Sequence, residues 1–187
     1  MAQKRNVDYQ SLVSQADIYY SAPVFENYKG MPVGNGVTGS IVWMGPDRLK
    51  FQINRVDVFA ANGATTAGEP DMTSPDYLGH QEYCGGCAFL DISFGRDVFT
   101  ETDTVQHLRM YDAELGLEGR NLQASLRVWA ERDVFCLDVK DLSGKPKPVS
   151  ITLSMLRPAH VVRKKHTADS RAFSREGMIG LTQAFSE

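Results

Sequence analysis

The chain has 187 residues, 42% apolar and 23% charged, which suits one domain with a sizeable core and excludes a disordered tail or a fibrous repeat. Its formal net charge of -3 leaves no electrostatic footprint for nucleic acid or an anionic membrane, so neither is expected as a partner. No stretch approaches the roughly 18 consecutive apolar residues of a membrane span.

Residues 1–22 read as an N-terminal lead, and their start, "MAQKRNVDYQ", lacks the apolar region of a signal peptide. The small residue and Gln at positions 2 and 3 also fit a mature end left by signal cleavage, which would imply a secreted or periplasmic protein.

Next comes "MPVGNGVTGSIVWMG", residues 31–45. It has no Lys followed by Ser or Thr, as a phosphate-cradling Walker loop requires. Gly34, Gly36 and Gly39 satisfy G-x-G-x-x-G, but Pro32 precedes and a strand-like run follows, the inverse of the strand-then-helix setting of a dinucleotide site. A tight turn between strands, with Asn35 tolerating a left-handed backbone or bonding the turn, is the expectation.

From residue 40 onward apolar residues recur with period two, and helical periodicity is scarce. "RLKFQINRVDVF" places Leu49, Phe51 and Ile53 on one face, then slips phase near Asn54 and Arg55, which predicts a bulge or corner. Residues 60–87 are rich in Gly, Pro, Ser, Thr and Asp without any period and read as a long loop, functional or covered by a partner. Within it "CGGC" pairs Cys84 with Cys87, but a strand-like segment follows where a redox motif needs a helix. Only Cys136 and four scattered histidines remain to complete a zinc site, so no metal or other cofactor is expected and the glycines read as a bulge.

"FLDISF", "LQASLRVWAE", "VFCLDVKDL" and "VSITLSML" alternate as half-buried strands, with turn signals at the spacing of antiparallel hairpins. Residues 159–176 carry local positive charge and read as a solvated basic loop, before a last alternating segment, "MIGLTQAFSE". Together these predict an all-β protein, an antiparallel β-sandwich with little helix, forming one domain over residues 1–187.

The segment "GMPVGNGVTGSIVWMGPDRLKFQINRVDVF" resembles the opening signature of the N-terminal domain of glycoside hydrolase family 95 and its relatives, with Pro32, Gly34, Asn35, Gly36, Gly39, Gly45, Asn54, Asp57 and Phe59 matching in order and spacing. "YCGGCAFLDISF" and "VWAERDVFCLDV" are similar to later strands of that domain, so the resemblance covers most of the chain. Phe59 stands where a Trp is usual, Arg55 where a Glu is usual, and residues 60–87 differ throughout. The resemblance implies a large antiparallel β-sandwich, a supersandwich, packed against a separate barrel of paired helices that carries the catalytic carboxylate, so the chain would be part of a longer enzyme and inactive alone.

Glycoside hydrolysis needs carboxyl groups at a fixed separation across the scissile bond. Glu69, Asp71, Asp76 and Glu82 show no spacing that singles out a pair, and no catalytic residue is assigned. Two roles stand for the turn: architecture alone, or, with the corner, one wall of the cleft of the helical domain. Gly34, Asn35, Gly36, Asn54 and Asp57 are the interface or cleft-wall candidates. The expected partners are that C-terminal catalytic domain and carbohydrate, with weak self-association of the isolated chain. A stand-alone carbohydrate-binding sandwich is the alternative, and it would want an exposed aromatic platform among Trp43, Tyr77, Tyr83 and Trp129.

Overall fold

The computed structural model describes residues 7–60, 83–155, 161–162 and 166–185. The Asp8 carboxylate caps α1 (Tyr9–Val13) by accepting a hydrogen bond from the Ser11 amide at 3.1 Å. The strands that follow are β1 (Ile18–Tyr20), β2 (Met31–Gly34), β3 (Thr38–Gly45), β4 (Arg48–Ala60), β5 (Tyr83–Ser93), β6 (Val105–Arg109), β7 (Glu114–Gly119), β8 (Leu122–Val128), β9 (Phe135–Asp141), β10 (Ser150–Met155), β11 (Val161–Val162), β12 (His166–Arg175) and β13 (Met178–Phe185).

The fold is an all-β sandwich of antiparallel sheets with little helix, as the alternation predicts. One sheet runs β1-β6-β7-β8-β9, the second β10-β5-β4-β3-β2, and β11-β12-β13 make a smaller third. The inner faces of the first two meet in a single core. Val42, Met44, Leu49, Phe51 and Ile92 come from the second sheet, and Leu108, Leu115, Leu117, Leu122 and Leu126 from the first. Phe94, Val98 and Phe99, on the segment that carries the chain from β5 to β6, fill the space between them.

Particular patterns hold residue by residue. In β8, Leu122, Ala124 and Leu126 are buried, and in β5 Ile92 points inward, as expected. The phase slip in β4 is a register shift: Ile53 faces Ala88, Asn54 faces Gly86, and Phe59 faces Cys84. Cys87 is thus the extra residue of a bulge, and the intervening part of β4 arches away from its partner before pairing resumes. The CGGC stretch lies inside β5, not at a helix N-terminus.

Four expectations need correction. The lead contributes β1, which pairs with β6 at an outer edge of the first sheet. Ala60 and residues 83–87, expected in the long loop, are strand, because Ala60 ends β4 and Tyr83 starts β5; residues 61–82, with Glu69, Asp71, Asp76, Tyr77 and Glu82, lie outside the described residues. The basic loop is not a loop over 166–175. That segment is β12, paired with β13 through a turn in which Glu176 and Gly177 have φ of 50° and 77°, the two positive values of a hairpin turn. Its apolar period is hidden because small and charged side chains occupy both faces. Finally, β9 and β10 do not form a hairpin: the proline-bearing link 142–149 carries the chain across to the other sheet.

Candidate functional site

The glycine turn builds the site. The Asn35 amide donates to the Thr38 carbonyl at 3.0 Å, closing the chain between β2 and β3. Gly36 has φ of +91°, and a Cβ there would meet nothing within 4 Å, so backbone conformation and not space selects glycine. At Gly34 space decides, since a Cβ would lie 3.1 Å from the Thr38 carbonyl oxygen and 3.2 Å from the Gly39 Cα.

The Asn35 side chain uses both ends. Its Oδ1 accepts from the Val37 and Thr38 amides at 2.9 and 2.8 Å. Its Nδ2 donates to the carbonyls of Trp129 and Arg132 at 3.0 and 3.1 Å, in the turn between β8 and β9. One amide group therefore ties together segments more than 90 positions apart in the chain.

Ion pairs repeat that link. Thr38 Oγ1 donates to Asp133 Oδ1 at 2.5 Å, and Thr38 faces Arg55 across β3 and β4. The Arg55 guanidinium bonds Asp57 at 2.6 Å and also Asp133. The Val56 amide donates to the Val37 carbonyl at 3.0 Å, holding the arched part of β4 against the turn. The hydrogen bond from Arg55 holds the Asp57 carboxyl below the usual carboxylate range. In return, the hydrogen bond to Asp57 and the Asp133 charge raise the Arg55 pKa. An acid held so firmly in its anionic form is a poor proton donor at neutral pH, so Asp57 suits binding better than general-acid chemistry.

Four apolar side chains rim this cluster and face water: Val37, Val56, Val134 and Trp129, the last 50% exposed with the Arg132 guanidinium 5.4 Å from its ring centroid. Among the predicted residues, the structure thus brings Gly34, Asn35, Gly36 and Asp57 into one surface. Asn54 lies beside it in β4, opposite Gly39 and Gly86, with its Oδ1 3.5 Å from Gln52 Nε2. Of the aromatic candidates, Trp43 packs edge to face on Phe89, so Trp129 is the exposed indole. Thr38, Arg132 and Asp133 escape a sequence reading. "AERD" between two alternating runs signals a polar turn, but nothing local signals where that turn docks.

Further exposed apolar positions lie at β10, an edge of the second sheet, and at β9, an edge of the first. Along the row Leu49, Ile92, Ile151 relative exposure rises from 0% to 7% to 54%, and along Leu117, Ala124, Val139 from 1% to 8% to 42%. These are inward-facing positions that end uncovered. Beside them a groove of about 430 Å³ runs between β10 and the β12–β13 hairpin, lined by Ile151, Leu153, Phe173, Ile179 and Leu181 among others.

Among the described residues no group of three His, Cys, Asp or Glu side chains is placed to hold a metal ion, and no helix is long and apolar enough to cross a membrane. Neither a protein-family model nor a curated protein matches the chain. The sandwich and its clamped loop surface are therefore the basis for a functional reading.

Proposed function

We propose that this chain is the N-terminal, non-catalytic β-sandwich module of a secreted or periplasmic glycoside hydrolase resembling family 95, and that it packs against a helical-barrel catalytic domain of the same polypeptide and shapes one wall of its cleft. The observation that carries this reading is the Asn35 clamp. Motif residues Gly34, Asn35, Gly36 and Asp57 converge, through Arg55 and Asp133, on one braced surface with an exposed Trp at its rim. Bracing of that kind suits an interface, where preordered side chains lose little entropy on contact. Trp and Arg are also the side chains most often central to interface energetics. The uncovered rows at Val139 and Ile151 support the need for further polypeptide against the sandwich.

The test compares the 187-residue chain with the polypeptide extended through the downstream coding sequence. The extended protein should contain several hundred helical residues and hydrolyse aryl fucosides or galactosides, whereas the shorter chain should not. Amides at 35–38 and 129–134 should exchange hydrogen more slowly in the extended protein. Turnover by the short chain that survives purification, or equal exchange in both proteins, would sink the reading. A stand-alone carbohydrate-binding sandwich is the second reading, favoured by the exposure of Trp129.

A further inference from the structure

We infer that Trp129, together with the ion-paired carboxylates Asp57 and Asp133, forms a subsite for an uncharged pyranose residue. This inference rests on the cleft-wall reading and names the ligand of that wall.

A pyranose ring presents two chemistries at once, an apolar C–H face and a rim of hydroxyls, and both are met here. The indole of Trp129 is half open to water, with the Arg132 guanidinium over its ring, so its remaining exposed surface is what a sugar would meet. Its backbone is pinned from three sides: the amide donates to the Val134 carbonyl at 2.9 Å, and the carbonyl accepts from Asn35 Nδ2 at 3.0 Å and from the Arg132 amide at 3.3 Å. The backbone that carries the platform therefore does not have to be ordered by the ligand.

The carboxylates supply the second half. The Asp57 and Asp133 side chains are 59% and 40% exposed, and each has two oxygens with more acceptor sites than its protein partners use. Sugar hydroxyls donate well to ionised acceptors, and such bonds are the stronger kind. Arg132, close to the ring, adds donors for a hydroxyl or ring oxygen.

Charge selects among sugars. Asp57, Asp133 and the neighbouring Glu131 carry three negative charges against two positive ones on Arg55 and Arg132, so the cluster is net negative by one. It offers no net attraction to a uronate, sulfate or phosphate. One stacking surface and a few hydrogen bonds correspond to a dissociation constant on the order of 1 mM.

The experiment is a fluorescence titration of the folded chain with methyl pyranosides, alongside methyl glucuronide. Trp43→Phe makes Trp129 the sole indole reporter, while Trp129→Ala and Asp57→Asn remove platform and acceptor. Circular dichroism checks that each variant folds, and proton saturation-transfer spectra follow binding to Trp129→Ala. The expected result is a saturable millimolar response to a neutral pyranoside in wild type and Trp43→Phe. Affinity should fall at least tenfold in Trp129→Ala and severalfold in Asp57→Asn. No saturable response in wild type, undiminished binding in folded Trp129→Ala, or tighter binding of the glucuronide would each overturn the subsite. If sugar binding fails while amides at 129–134 still gain protection in the extended protein, the subsite falls and the cleft-wall reading stands.

Discussion

Replacing Asn35 by alanine tests the clamp directly. The substitution deletes four hydrogen bonds, two accepted by Oδ1 within the turn and two donated by Nδ2 to the Trp129 and Arg132 carbonyls. A net value of about 1 kcal/mol for each bond gives an upper figure of about 4 kcal/mol. Water reaches this half-exposed site and satisfies some of the abandoned groups, so about 2 kcal/mol is expected. For a domain of this length that lowers Tm by roughly 4–8 °C.

Asn35→Asp separates the two halves of the effect. A carboxylate still accepts from the Val37 and Thr38 amides, but it places negative charge against two carbonyl oxygens where the amide had donors. The turn should survive while the link to 129–134 is lost. Urea unfolding followed by circular dichroism gives the magnitude. Amide exchange at Thr38 and Val134 gives the location, faster at both in the alanine variant and mainly at Val134 in the aspartate variant. A loss below about 0.5 kcal/mol in Asn35→Ala, with exchange at 129–134 unchanged, would refute the view that this side chain braces the surface.

Four further outcomes are expected. Gly119→Ala should destabilise the fold by about 1–3 kcal/mol, because a Cβ there would sit 2.6 Å from the Val98 carbonyl oxygen, a backbone atom that cannot swing aside; an unchanged urea midpoint would count against this packing. Leu126→Ala, at a side chain with no exposure, should cost about 2–5 kcal/mol. Ile151→Lys, at the uncovered edge, should shift stability by no more than about 0.5 kcal/mol while reducing self-association in sedimentation velocity; large destabilisation would show the edge to be covered. Hydrogen bonds from Arg48 depress the Asp47 pKa, and the Met110 amide depresses that of Asp17. For Glu114, burial pushes the pKa up but is outweighed by Arg109 and Arg127. Carboxyls with folded pKa values below their unfolded ones stabilise the fold above about pH 4. That contribution disappears as pH falls through the folded values, so thermal stability should be level from about pH 5 to 8 and drop below about pH 4. A rise in Tm on acidification from about pH 5 to 3 would contradict the ion-pair reading.

Much of the fold was legible because alternation is a local signal with a direct physical meaning: successive strand residues face opposite sides, so a half-buried strand must alternate. Leu49 and Phe51 in β4, or Leu122 and Leu126 in β8, could be assigned to the core face on that ground alone. The place of the irregularity in β4 was legible from the phase slip near Asn54, but its outcome was not, since Val56, which continues the apolar pattern, is 53% exposed. What alternation leaves open is the identity of a strand's neighbours. β9 and β10 look like the arms of a hairpin, but they lie at the edges of different sheets. β12 was hidden because its side chains have no strong apolar face to keep in phase.

The candidate site divides along the same line. Gly36 and Asn35 were readable as a turn because the need for a positive φ and for local amide acceptors is confined to a few adjacent residues. Asp133 and the Trp129 carbonyl were not, because their bonds to Thr38 and Asn35 span more than 90 positions and exist only once β8 and β9 have stacked beside β2 and β3. Ile151 and Leu126 make the point for packing. Both occupy inward positions of alternating strands, and one is 54% exposed while the other is fully buried. Period two states which face a side chain takes, whereas its cover depends on what lies across the sandwich, so an inward residue left exposed at an edge is structural information with no counterpart in the local pattern. At Ile151 and Val139 that information marks apolar side chains exposed among the described residues, and the Ile151→Lys comparison asks whether a second copy of the chain covers them.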